Sequence, residues 1–169
     1  MEKVLNKYTF YILCFIPTFL VAGPAIPDII ISLTSLFFIY YSFKNGKYFF
    51  FKNKIFYCYF LFWLIIVLGS LLSENILFSL KNSFFHFRFV LFSFALAYII
   101  ENYENFLTTL YKVTLFTVIL VVSDGFFQSF FKVNILGYAA PNEQRISGFF
   151  EHEWILGSYL VRILPILVG

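Results

Sequence analysis

Residues 55–72 read Ile55-Phe56-Tyr57-Cys58-Tyr59-Phe60-Leu61-Phe62-Trp63-Leu64-Ile65-Ile66-Val67-Leu68-Gly69-Ser70-Leu71-Leu72, 18 positions without a charge. At about 1.5 Å per residue such a helix is about 27 Å long, close to the roughly 30 Å hydrocarbon core of a bilayer. Lys52-Asn53-Lys54 precedes the run and Ser73-Glu74-Asn75 follows it. Charge and turn-forming residues resume where the apolar slab would end. That is the pattern of a membrane-spanning helix, and the chain on either side repeats it.

The whole chain has 169 residues, of which 61% are hydrophobic, 24% aromatic and 12% charged, and its mean hydropathy is +0.85. Soluble domains carry about 25% charged and about 45–50% apolar residues. The departure excludes a disordered chain, a secreted disulfide scaffold and an ordinary cytosolic enzyme. The expected fold class is all-α, a polytopic transmembrane helix bundle. Phe, Ile, Lys and Asn are all abundant, as AT-rich coding DNA would produce. The 27 Phe are therefore read as lipid-facing and packing residues, not as carbohydrate platforms. Cys14 and Cys58 lie inside apolar runs and make no metal spacing. No Walker loop, GxGxxG or HExxH string occurs, so nucleotide and zinc chemistry have no support. No nucleic-acid partner is expected.

Against a ruler of about 17–25 residues per span, six spans are expected, over 8–23, 25–43, 55–72, 83–100, 106–123 and 154–169. They form a single transmembrane domain covering 1–169. Gly23-Pro24-Ala25-Ile26-Pro27-Asp28 separates the first two, with Asp28 suited to cap the second. Ile76 to Ser83 reads as a short interfacial helix before the fourth span. The first span has Lys3 and Lys7 ahead of it and Ala22-Gly23 at its end, like a signal peptide. Its apolar part is long for that, a proline follows, and another span comes next, so it is read as uncleaved. Residues 124–153 form the longest non-spanning stretch, and its aromatic first part, Gly125 to Lys132, is expected on the membrane surface. The sixth span has 16 residues and no basic or aromatic stop. The chain therefore reads as the front part of a larger membrane protein.

Orientation follows the lysines and arginines of short loops. With the N-terminus in the cytoplasm, Lys3, Lys7, Lys44, Lys47, Lys52, Lys54 and the snorkelling Lys112 face inward, seven against Lys81, Arg88, Lys132 and Arg145 outside. The 124–153 loop is then external. The acidic Glu101 to Asn105 loop falls inside, against a trend to which acidic residues contribute little.

The external stretch Arg145-Ile146-Ser147-Gly148-Phe149-Phe150-Glu151-His152-Glu153-Trp154 carries the densest chemistry. Arginine offers a rigid, permanently charged fork of donors that suits a phosphate or pyrophosphate. Ser147-Gly148 allows a close backbone approach. The plainer alternative is a solvated loop in which Arg145 pairs with Glu151 or Glu153. Arg162 lies eight residues beyond Trp154, about 12 Å into the membrane. An uncompensated arginine there costs at least a few kcal/mol. It must face the bundle, either in an ion pair with Asp124 or Glu153, or toward a ligand phosphate. Arg88 can snorkel to head groups or join the same anion site. His86 and His152 read as local hydrogen-bonding groups. Arg88, Arg145 and Arg162 are all the arginines in the chain, and all fall on or below the outer surface.

Arg145-Ile146-Ser147-Gly148-Phe149-Phe150, then Glu153, Ile155 to Leu160, Arg162 and Pro165, resembles the O-antigen ligase and O-antigen polymerase family, whose members carry an R-x-S-G-F motif at the outer mouth of a central helix. Leu80 to Tyr98, with Arg88, resembles a helix in the front half of that family. The resemblance implies a bacterial inner-membrane protein of roughly a dozen helices in a glycosyltransferase-type (GT-C-like) bundle. It implies transfer of a glycan from undecaprenyl pyrophosphate to lipid A-core or to another repeat unit, on the periplasmic side. Neither metal nor nucleotide sugar would be needed, and no cofactor is implied. Arg145 and Arg162 would hold the leaving pyrophosphate as catalytic residues. Arg88, Ser147, Gly148, His152 and Glu153 would bind substrate. The base would be a histidine in a later loop, beyond Gly169. The alternatives are a fragment of a multi-pass transporter or flippase that binds an anionic lipid-linked substrate, and a non-enzymatic assembly protein.

Overall fold

A computed structural model describes residues 2–46, 52–139, 146–150 and 155–168, with side chains from residue 8 onward. It is all-helical. The helices are α1 (Glu2–Cys14), α2 (Ile16–Val21), α3 (Ala25–Lys44), α4 (Lys54–Ser70), α5 (Ile76–Asn102), α6 (Phe106–Phe131) and α7 (Leu156–Val168), with a 3₁₀ turn at Gly148–Phe150. Among the described residues the only extended pairing is an isolated bridge, Val133 to Ala139. Three helices, α3, α5 and α6, are long and apolar enough to cross a membrane, while α4 and α7 are apolar but shorter. Their outward faces carry Leu61, Ile65 and Leu68 on α4 and Phe116 and Ile119 on α6, all exposed. Soluble monomers rarely show contiguous apolar faces of that kind.

The chain divides into two units, Met1–Asp28 with Tyr103–Gly169, and Ile29–Asn102. In the second unit α4 and α5 form an antiparallel hairpin. As the α4 number rises through Phe56, Phe60, Trp63 and Ser70, its α5 partner falls through Phe94, Phe87, Phe84 and Ser83. Asn53 caps α4, its side-chain oxygen accepting from the Ile55 N–H at 3.1 Å. Polar groups join the two helices: the buried Ser70 and Ser83 hydroxyls meet, and the half-buried Trp63 indole donates to the Ser83 carbonyl at 2.9 Å. The α3 helix runs parallel to α5. Phe38 packs with Val90, Phe94 and Ala95, and the Tyr41 and Tyr98 hydroxyls meet at 2.7 Å.

In the first unit α1 and α2 run beside α6 in the same direction. Phe10 touches Phe106, and the Thr18 and Thr117 hydroxyls meet at 2.7 Å. The expected span 8–23 is broken at Phe15. Pro17 enters the first turn of α2 and has no N–H to return to the Leu13 carbonyl. The core below α7 is Val121, Phe150, Tyr159 and Ile163.

Other boundaries also move. Asp28 lies in the first turn of α3, which starts at Ala25 rather than being capped by it. The expected interfacial helix at 76–83 is continuous with the fourth span as α5. The α6 helix passes Ser123 and runs to Phe131, so the first eight residues of the expected 124–153 loop are helical. Residues 47–51 of the basic loop lie outside the described residues.

Candidate functional site

A stripe of small and polar side chains runs down α6. Thr114, Thr117, Val121, Asp124, Gly125 and Gln128 are all buried. Apart from the adjacent Asp124 and Gly125, successive members are three or four residues apart, on one side of the helix. The returning chain closes on that face, and even a Cβ at Gly125 would make only ordinary van der Waals contact with it. A Cβ there would sit 3.5 Å from Leu156 and 3.6 Å from Ile146. The helix ends when Lys132 adopts φ 63° and returns its N–H to the Gln128 carbonyl at 2.9 Å.

Beyond α6 the chain folds back on this face. Asn134 starts a tight turn: its N–H donates to the Tyr138 carbonyl at 2.9 Å, and its Oδ1 accepts from the Tyr138 N–H at 2.7 Å. Its Nδ2 reaches the Gly148 carbonyl at 2.9 Å. Asp124 Oδ1 accepts from the Ile135 N–H at 2.8 Å. Gln128 Oε1 accepts from two successive backbone groups, Ser147 N–H at 2.9 Å and Gly148 N–H at 2.8 Å. Its Nε2 contacts the Ser147 Oγ at 3.3 Å and the Tyr138 carbonyl at 3.4 Å. Asp124, Gln128, Asn134 and Ser147 have at most 2% of their surface exposed. This is a closed polar socket at the end of an apolar helix. The second oxygen of Asp124 has no hydrogen-bond partner among the described residues.

Ser147 and Gly148, expected to let a ligand approach the backbone, direct both N–H groups into this socket instead. Gly148 has φ 58°, and a Cβ on it would meet Leu156 at 2.9 Å and Asp124 Oδ2 at 3.2 Å. The glycine is therefore required by the backbone and by its neighbours. Arg145, His152 and Glu153 lie outside the described residues, as do Glu151 and Trp154.

Arg162 is exposed on α7, at the flank of the buried Tyr159 and Ile163 face that packs with Val121 and Phe150. Val161 and Leu164 beside it are also exposed. Tyr159 fastens the helix, donating its hydroxyl to the Pro17 carbonyl at 2.8 Å. In the other unit Arg88 is half-buried. Its Nη1 donates to Ser32 Oγ at 3.0 Å, its guanidinium lies 5.1 Å from the Phe89 ring centre, and its carbonyl accepts from Ser35 Oγ at 2.8 Å. His86 is exposed against the same ring.

Under the 3₁₀ turn lies an open apolar groove of about 570 Å³ whose lining includes Thr18, Val21, Thr117, Leu120, Phe149 and Phe150. Sequence reasoning missed Gln128 and Asn134. The signal for Gln128 was present: a lone amide in an apolar run, four residues after an aspartate. No family model, no curated protein and no solved structure matches the chain.

Proposed function

We propose that the chain is the N-terminal part of an O-antigen ligase- or polymerase-like protein of a bacterial inner membrane. Its six spans, with the N-terminus cytoplasmic, would be part of a GT-C-like bundle. It transfers a glycan from undecaprenyl pyrophosphate to lipid A-core or to a growing polysaccharide in the periplasm. In that reaction an acceptor hydroxyl attacks the anomeric carbon, the bond to the pyrophosphate oxygen breaks, and undecaprenyl pyrophosphate leaves. Arg145 and Arg162 meet the negative charge that develops on the leaving group. Arg88 contributes charge to the donor, and His152 and Glu153 flank the site.

The observation that supports this reading is the anchorage of the 146–150 part of the motif. Its Ser147-Gly148 step is bound to buried Gln128 at 2.9 and 2.8 Å, so the described part of the motif is held at the end of α6. The apolar groove beside Phe149 and Phe150 suits a hydrocarbon tail. The exposed guanidinium of Arg162 amid apolar residues calls for an anionic partner.

The test supplies the full-length protein in membranes with a labelled undecaprenyl-pyrophosphate glycan and an acceptor. Transfer of label to the acceptor, with release of undecaprenyl pyrophosphate and no added nucleotide sugar, is expected. Movement of intact donor across the bilayer without bond cleavage would instead identify a flippase.

A further inference from the structure

We propose that the turn after α6 is a re-entrant element: Val133 to Tyr138 dips back to hydrocarbon depth and sets Ile135 and Leu136 among the acyl chains of the leaflet at that end of the helix. The proposal rests on α6 crossing the membrane. It does not depend on glycan transfer or on which side is periplasmic.

The depth follows from the helix. The 26 residues Phe106–Phe131 span about 39 Å, so α6 centred in a hydrocarbon layer of about 30 Å overhangs it by about 4–5 Å at each end. From that end the chain turns back. The Ile135 N–H donates to Asp124 Oδ1 at 2.8 Å, and Asp124 lies seven residues before Phe131, about 10 Å back along the axis. The turn therefore stands about 6 Å inside the hydrocarbon edge.

Its surface suits that depth. The Gly137 N–H returns to the Asn134 carbonyl at 2.9 Å, which leaves Ile135 and Leu136 at the tip, 60% and 63% exposed. Val133 and Tyr138 are exposed beside them, and no charge falls between Lys132 and Ala139. Turns in water favour Gly, Pro, Asn, Asp and Ser, whereas here the tip is two branched aliphatics. The backbone suits the depth as well. Lipid offers no hydrogen bonds, so non-helical backbone there must find its partners in the protein. Of the seven N–H groups from Lys132 to Tyr138, those of Lys132, Asn134, Ile135, Gly137 and Tyr138 are bonded internally, two of them to the side chains of Asp124 and Asn134. Gln128 Nε2 adds a contact to the Tyr138 carbonyl at 3.4 Å. A turn in water has solvent for these groups. At hydrocarbon depth they need Asp124, Gln128 and Asn134, which accounts for three fully buried polar side chains at the end of an apolar helix. Leu136 also lines the apolar groove, so one wall of that groove stands in the lipid layer.

Spin labels read the depth. The full-length protein is placed in phosphatidylcholine–phosphatidylglycerol vesicles with the exposed Cys58 changed to Ser; Cys14 is buried and stays. Nitroxides are attached in turn to Ile135→Cys, Leu136→Cys, Lys132→Cys and Ile119→Cys, the last on the exposed middle of α6. Oxygen concentrates in hydrocarbon and a polar nickel chelate is excluded from it. Chelate collisions at Ile135→Cys and Leu136→Cys should be at least about tenfold rarer than at Lys132→Cys, with oxygen collisions close to those at Ile119→Cys. The two tip sites are read separately, so either one decides the matter if the other variant fails to insert. Chelate access at the tip equal to that at Lys132→Cys would overturn the proposal by placing the turn in water. Low collision with both reagents would overturn it by showing the tip covered by protein. Free chelate access at Ile119→Cys would refute the α6 span itself, a failure distinct from that of the turn.

Discussion

Gly148→Ala isolates what the socket demands of the chain. The residue sits at φ 58°, where an L side chain costs about 1–2 kcal/mol. Its new methyl would lie 2.9 Å from Leu156 Cδ1 and 3.2 Å from Asp124 Oδ2. The leucine methyl ends a flexible side chain and can swing aside, at about 0.5–1.5 kcal/mol if it leaves its rotamer. The reduced freedom of the unfolded chain offsets about 0.4–1 kcal/mol. The net loss is about 0.5–3 kcal/mol, which for a chain of this size lowers Tm by about 1–12 °C. Thermal unfolding of the detergent-solubilised protein, followed by tryptophan fluorescence, measures it. Leu156→Ala removes the clashing methyl, so in a double-mutant cycle the two changes should couple favourably by about 0.5–1.5 kcal/mol. The φ cost should remain. Equal stability of Gly148→Ala and the parent, or zero coupling to Leu156, would refute the packing described here.

Two further outcomes are expected. Tyr159→Phe loses the 2.8 Å bond to the Pro17 carbonyl and should lower Tm by about 2–4 °C, at about 1 kcal/mol for one neutral bond; an unchanged Tm would mean that α7 is held by its apolar face alone. In cells carrying single cysteines, an impermeant thiol reagent should label Asn142→Cys and not Asn53→Cys, and the reverse pattern would invert the topology and remove the periplasmic site.

The long apolar helices were legible because their signal is local. The uncharged run at 55–72 and the Gly23-Pro24 break announce themselves over a few residues, and α3 and α4 stand close to their expected limits. The break at Phe15 was also visible, in Pro17, but an apolar run masks a proline when only hydropathy is counted. The end of α6 was misread for a different reason. Asp124, Gly125 and Gln128 look like the polar exit of a membrane helix. They are instead the continuation of the Thr114, Thr117 and Val121 stripe, and their partners are Ile135, Ser147 and Gly148, 11 to 20 residues further along. Local pattern carries no information about such partners. For the same reason Ser147-Gly148 suggested ligand contact, when its N–H groups were reserved for a side chain on another element. Among the three arginines, chemistry was readable and geometry was not: nothing in the spacing tells that Arg162, three residues from buried Tyr159 and next to buried Ile163, is itself exposed.

Transfer activity of Arg145→Lys tests the central claim most directly. A pyrophosphate leaving group develops charge on several oxygens, and a planar guanidinium can meet two of them at once, where an ammonium meets one. Loss of one such donor typically costs about 10²-fold or more in rate. The full-length Arg145→Lys protein should therefore insert at the parent level and transfer undecaprenyl-pyrophosphate-linked glycan at least about 10²-fold more slowly. Full transfer by the lysine variant, or a fall in activity matched by an equal fall in protein level, would contradict a pyrophosphate-binding role for Arg145.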